Sequence, residues 1–223
     1  MQHPMNRWFF LLLCLLAAPL ALPAQVGFSD AERALILSGA SDRPMRVFKI
    51  TNPKDSLLLR QSSYPVVPDP QDTVLARFIQ RLYRTVTDSA SLGVGIAAPQ
   101  VGLLRRIIWV QRFDKEGFPF EVYLNPVIRQ YSKMNRWGRE GCLSIPDRRD
   151  SVFRAYAILL EYDTPQGQHL IELVEDFTAV IFQHEIDHLN GILYIDHLAQ
   201  EIEDARKPDE AGDDPPAESP SKN

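Results

Sequence analysis

The segment Gln183-His184-Glu185-Ile186-Asp187-His188 constrains the fold more than any other stretch of this 223-residue chain. Residues four apart on a helix share one face, a turn apart. Two imidazoles at that spacing can grip one metal ion, and the carboxylate beside the first can reach a water held there. If the spacing is used in this way, the segment must be helical. The face bearing His184 and His188 must look inward, and a further ligand must come from another part of the chain. Two packed or solvated histidines on an amphipathic helix would produce the same pattern, so the remaining sequence has to decide.

The chain has two cysteines, Cys14 and Cys142. Cys142 lies in Glu140-Gly141-Cys142-Leu143-Ser144 and is the candidate third ligand, as thiolate. A small buried cysteine is the ordinary alternative. A third segment, Gly93-Val94-Gly95-Ile96-Ala97-Ala98-Pro99-Gln100, completes a set of three motifs in a fixed order, and in these motifs and their order the chain resembles the peptide deformylase family. Every residue of the three motifs matches the pattern, and the likeness runs from about Phe48 to Leu198.

The resemblance implies an α+β fold, with antiparallel or mixed β-sheets wrapped around a central helix carrying the HExxH motif. It implies hydrolysis of the formyl group from N-formylmethionyl peptides, with release of formate. Cys142, His184 and His188 would hold one divalent metal, and Glu185 would move the proton. The Gln100 side-chain amide and the Leu143 backbone N–H would meet charge on the formyl oxygen. The implied ion is Fe2+, with Ni2+ or Co2+ as substitutes. Two imidazoles and a thiolate suit Zn2+ as well. Phe177, Val180 and Ile181 share the helix face of His184 and would line an apolar pocket for the methionine side chain. Gly93 and Gly95 let an extended peptide approach the backbone and pair near Val94. Glu140 and Arg149 are expected to flank the site and contact the peptide backbone. Asp187 is expected to pair with Arg154. His3, His169 and His197 belong to no motif and receive no role. An HExxH endopeptidase would lack the cysteine ligand and the Gln100 motif. An exported, non-catalytic binder of formylated or free peptide N-termini is the reading from another class.

The ends of the chain point elsewhere. Arg7 precedes an apolar run from Trp8 to Leu22 that is short for a bilayer span, so residues 1–25 read as a secretory signal peptide. Export to the envelope or medium is the expectation, with an uncleaved membrane anchor as the alternative. Cleavage would remove Cys14 and leave Cys142 alone, with metal ligation as its reason to be there. Residues 201–223 carry eight acidic and three basic side chains, a surplus equal to the whole net charge of −5. That segment reads as a disordered acidic tail after about Ala205, and residues 26–200 as one catalytic domain. Neither part is basic, so nucleic acid is excluded as a partner. The expected partners are N-formylmethionyl peptides or nascent or exported polypeptides, met by a monomer.

Local signals give the order of elements. A capping box at Ser29 and Glu32 starts a helix ending near Gly39. Val47–Ile50 reads as a strand, and Asp72–Asp88 as a helix with one apolar stripe. Arg106–Arg112 and Glu121–Leu124 read as strands, and Ser151–Asp163 with Gln168–Val174 as a hairpin. The motif helix starts near Asp176 and stops at Gly191. Strands in runs with helices at the ends give an α+β arrangement.

Overall fold

The computed structural model describes residues 27–89, 91 and 93–205. The proposed signal and the acidic stretch from 206 onward lie outside the described residues. Helix α1 (Asp30–Leu37) starts as expected: the Ser29 N–H donates to Glu32 Oε2 at 2.7 Å, and the Glu32 N–H donates back to Ser29 Oγ. Helix α2 (Pro53–Leu59) was not foreseen. Asn52 accepts from the first-turn amides of Lys54 and Asp55, and Pro53 supplies a preset φ at the first helical position. Helix α3 (Thr73–Val86) is capped by Asp72 and buries Val74, Leu75, Phe78, Leu82 and Val86, the stripe that its periodicity predicts.

Among the described residues seven strands follow: β1 (Gly95–Ala97), β2 (Ile107–Gln111), β3 (Phe120–Tyr131), β4 (Asn135–Cys142), β5 (Ile145–Ala155), β6 (Ala157–Asp163) and β7 (His169–Glu175). Five form one sheet in the order β1-β2-β3-β6-β7, and β4 pairs with β5 as a separate ribbon. Every pairing between these strands is antiparallel. The expected single strand over 151–163 is in fact two. At Tyr156 the N–H donates to Met134 O and the carbonyl accepts from Asp176, so the chain leaves the ribbon there and joins the larger sheet. Val47–Ile50 is not a strand either. The Phe48 N–H donates to Gln100 O at 2.7 Å and the Ile50 N–H to Ser144 O at 3.0 Å, so the segment bridges two motif loops.

The motif helix, α4 (Asp176–Leu189), packs against strands of both sheets and buries residues on nearly all sides, from Thr178 and Ala179 to His188 and Leu189. Gln183 fixes its rotation. Its Oε1 accepts from the Ala155 N–H at 3.0 Å and its Nε2 donates to Ala155 O at 2.8 Å, so the side chain pairs with β5 as a strand would. Phe182 packs edge-on against Tyr123 at 4.7 Å. The helix ends where Gly191 adopts φ 73°, with Arg60 O so near that a Cβ would meet it at 2.5 Å. Helix α5 (Tyr194–Asp204) then folds back on β5 and runs past the expected boundary at 200. No described helix is long and apolar enough to cross a membrane.

Candidate metal centre and active-site cleft

Three elements converge on one point. Helix α4 presents His184, Glu185 and His188, the end of β4 presents Cys142, and the 3₁₀ turn after β1 presents Gln100. The ligand atoms of Cys142, His184 and His188 lie within 4.8 Å of one another, and Cys142 Sγ is 3.1 Å from His188 Nε2. His184 Nδ1 is spent on Glu140 Oε2 at 2.7 Å, which leaves its Nε2 for the centre. Burial opposes charge on both Cys142 and His184, yet their mutual contacts prevail. The thiol is held well below its usual range by His188 and His184, and the His184 imidazole well above its own by Cys142 and Glu140. A buried thiolate between two imidazoles is the donor set of a thiophilic divalent cation. Glu185 fits the same conclusion: its Oε2 is buried without a hydrogen-bond partner, and burial pushes the carboxyl up to about 7.

Gln100 faces this cluster in a fixed orientation. Its Oε1 accepts from the Ala97 N–H at 2.9 Å, so its NH₂ points inward, 3.3 Å from Ser144 Oγ and 3.6 Å from Cys142 Sγ. Gly95 faces Glu185 so closely that a Cβ there would lie 2.4 Å from Glu185 Oε1. Gly95→Ala is therefore expected to retain metal while kcat falls by about 100-fold, since small misplacements of reacting groups are that costly. Parent-like turnover of the variant would show that the close approach is irrelevant.

The cleft in front of the cluster has a volume of about 700 Å³. Gly93, Val94, Gly95 and Leu143 border one side, with Phe177, Val180 and Ile181 along the helix and Arg149 on the ribbon. The sequence profile described as polypeptide deformylase matches residues 45–203, which include every residue of the cluster. The chain belongs to the polypeptide deformylase family. The peptide deformylase of Rhizobium meliloti (strain 1021) is 37% identical over 145 residues, 64% of this chain and 80% of the relative. A crystal structure of a class I type b peptide deformylase from Acinetobacter baumannii with Met-Ala-Ser bound aligns with TM-score 0.62 at 33% identity, over 70% of this chain and 99% of the other. That of Thermotoga maritima peptide deformylase gives 0.60 at 32%, over 70% and 97%.

In this deformylase chain the residues behind the centre depart from expectation at Glu140. It borders the cleft, but both carboxylate oxygens are taken: Arg154 Nε donates to Oε1 at 2.7 Å, while Arg154 Nη2 and His184 share Oε2. Burial raises the Glu140 pKa, but these hydrogen bonds outweigh it and hold it at about 2. The side chain therefore orients His184 and is turned inward toward Arg154, away from the peptide-contacting role expected of it. Arg154 also reaches Asp187, as expected. His197, given no role from sequence, extends the chain: its Nε2 lies 2.7 Å from Asp187 Oδ2. Tyr194 was missed too, and its ring stacks on His184 at 6.1 Å. The Tyr194/His197 spacing on α5, one helical turn, was a usable signal once α5 was recognised as a helix. Exposed His169 pairs, among the described residues, with half-buried Glu161 and Asp163 on β6. Asp187→Ala is expected to weaken metal retention by about 10- to 100-fold in a chelator competition. Unchanged retention would dispose of this supporting role.

Proposed function

We propose that the chain removes the formyl group from N-formylmethionyl peptides, yielding formate and a free methionyl N-terminus. One observation carries the reading: a buried, unpaired Glu185 carboxylate beside a Cys142/His184/His188 cluster, with the Gln100 NH₂ fixed across from it. Cys142, His184 and His188 would hold a divalent cation, which would supply Lewis acidity and a water nucleophile near neutral pH. Glu185 accepts the proton as that water adds to the formyl carbon. It returns the proton to the departing amine nitrogen as the C–N bond breaks. Gln100 Nε2 and the Leu143 N–H donate to the formyl oxygen as negative charge gathers on it. Phe177, Val180 and Ile181 hold the methionine side chain away from water. Gly93, Val94 and Gly95 pair with the peptide backbone, and Arg149 flanks it.

Fe2+ is the proposed ion, with Zn2+ as the rival in an oxidising compartment. Metal analysis of protein purified anaerobically from its native host distinguishes them. Export through residues 1–25 is proposed from their composition, and a reporter fused to the catalytic domain reads the side of the membrane. The proposed unit is a monomer.

The test is formate release from formyl-Met-Ala-Ser by the full chain, loaded anaerobically with Ni2+ or Fe2+. Release that depends on metal is expected. A folded, metal-loaded protein that releases none would overturn the reading.

A further inference from the structure

We infer that the mouth of the cleft is an electropositive subsite that favours formylated peptides with acidic side chains at their third and fourth positions. The inference rests on the deformylase reading and adds a substrate class to it. Lys49, Arg139, Arg148 and Arg149 all border the cleft. Arg148 is engaged by Asp150, and Lys49 donates to the Leu143 carbonyl. Among the described residues, Lys49, Arg139 and Arg149 have no carboxylate at ion-pair distance. The acidic groups bordering the same space do little to offset them. Glu140 is consumed by Arg154 and His184, Glu185 lies on the floor beside the cluster, and only Asp147 remains at the mouth. This local cationic surplus stands out in a chain whose net charge is −5.

The register of the ribbon sets the distance. Gly141 pairs with Arg149, and Arg139 lies two residues farther out along β4. At about 3.3 Å per residue, the Arg139 backbone is about 10 Å from that of Cys142. An extended peptide whose formyl group sits at the centre and which runs outward along β4 advances at the same rise, so its third residue arrives level with Arg139 and its fourth lies one step beyond, while Arg149, paired with Gly141, lies nearer the centre. The Arg139 and Arg149 side chains are exposed and, among the described residues, form no ion pair, so they retain charge for a ligand and lose little on meeting one.

The test is calorimetric binding of three product-type peptides to the full chain loaded with Ni2+: Met-Ala-Glu-Glu, Met-Ala-Ser-Ser and Met-Ala-Lys-Lys. At low salt the Glu-Glu peptide is expected to bind about three- to tenfold more tightly than the Lys-Lys peptide, with Ser-Ser between them. In about 1 M NaCl, where screening acts within about 3 Å, the ratio should approach one. Arg139→Glu should shrink the ratio at low salt as well. Equal binding of the three peptides overturns the inference, as does a preference that survives both high salt and Arg139→Glu. The salt series needs no variant, so the question is answered even if Arg139→Glu folds poorly. Formate release from formyl-Met-Ala-Ser-Ser, measured alongside, reports on the deformylase reading alone, so the two ideas fail separately.

Discussion

Replacing Glu185 by alanine is expected to lower kcat for formate release by about 10²- to 10⁴-fold, the usual contribution of a positioned proton-transfer group. Metal content should not change, because Cys142, His184 and His188 remain and Glu140 still orients His184. Thermal stability should not fall either. In the metal-free protein, burial raises the Glu185 pKa from 4.5 to about 7. The native state therefore binds more protons than the unfolded chain between those values, and stability declines as pH rises through that window. Removing the carboxyl removes this loss, so the metal-free variant should melt no lower than the parent at neutral pH. The triple signature is turnover collapsed, metal kept and melting temperature kept or raised. A variant that loses its metal or its fold would show that Glu185 is structural, and parent-like turnover would remove it from the chemistry.

The second large effect belongs to Arg154. Its side chain is 5% exposed and lies between Glu140, itself 6% exposed, and Asp187. Arg154→Met keeps most of the volume and leaves both carboxylates without their guanidinium. Removing one partner of a buried ion pair costs about 3–5 kcal/mol, because the remaining charge is stranded away from water. At about 2–4 °C per kcal/mol for a chain of this size, the melting temperature should drop by about 10 °C. The damage also reaches the metal. Glu140 would lose the two hydrogen bonds that fix its carboxylate, and His184 would lose a rigid partner at Nδ1. A loss of about 10- to 100-fold in metal affinity is therefore expected together with the lower melting temperature. A variant that melts within 2 °C of the parent and keeps its metal would reduce the Arg154 network to a surface-type pairing of little consequence.

These two residues also mark what the sequence discloses. His184, Glu185 and His188 were readable because chemistry fixes their spacing on one helix, Cys142 because its motif stands in order with theirs, α1 and α3 because of a cap or apolar periodicity, and α4 because of its motif and Gly191. Strand β4 was silent: only Glu140 along its length is fully buried, so no alternation of apolar residues announces it. The break at Tyr156 carries no Gly or Pro, and the chain changes sheet there through two backbone hydrogen bonds that no linear pattern encodes. Helix α5 was hidden by its acidic composition, which merged it with the tail. The inward turn of Glu140 and the reach of His197 to Asp187 depend on strand register and on the return of α5, both of which are tertiary facts.

The three motifs span residues 93–188, yet a catalytic unit cut to those limits would be incomplete. The extended segment through Phe48 and Ile50 donates one amide to the carbonyl of Gln100 and another to that of Ser144. It works as a splint between the turn that carries Gln100 and the loop that carries Cys142 and Ser144. A fragment starting after Thr51 would keep every signature residue but lose both of these backbone ties, leaving the contacts of Gln100 Nε2 with Ser144 Oγ and Cys142 Sγ to join the two loops. The smallest active piece of this chain is therefore expected to begin at or before Phe48, 45 residues upstream of Gly93 and ahead of both α2 and α3, because the segment through Phe48 and Ile50 makes these two backbone hydrogen bonds.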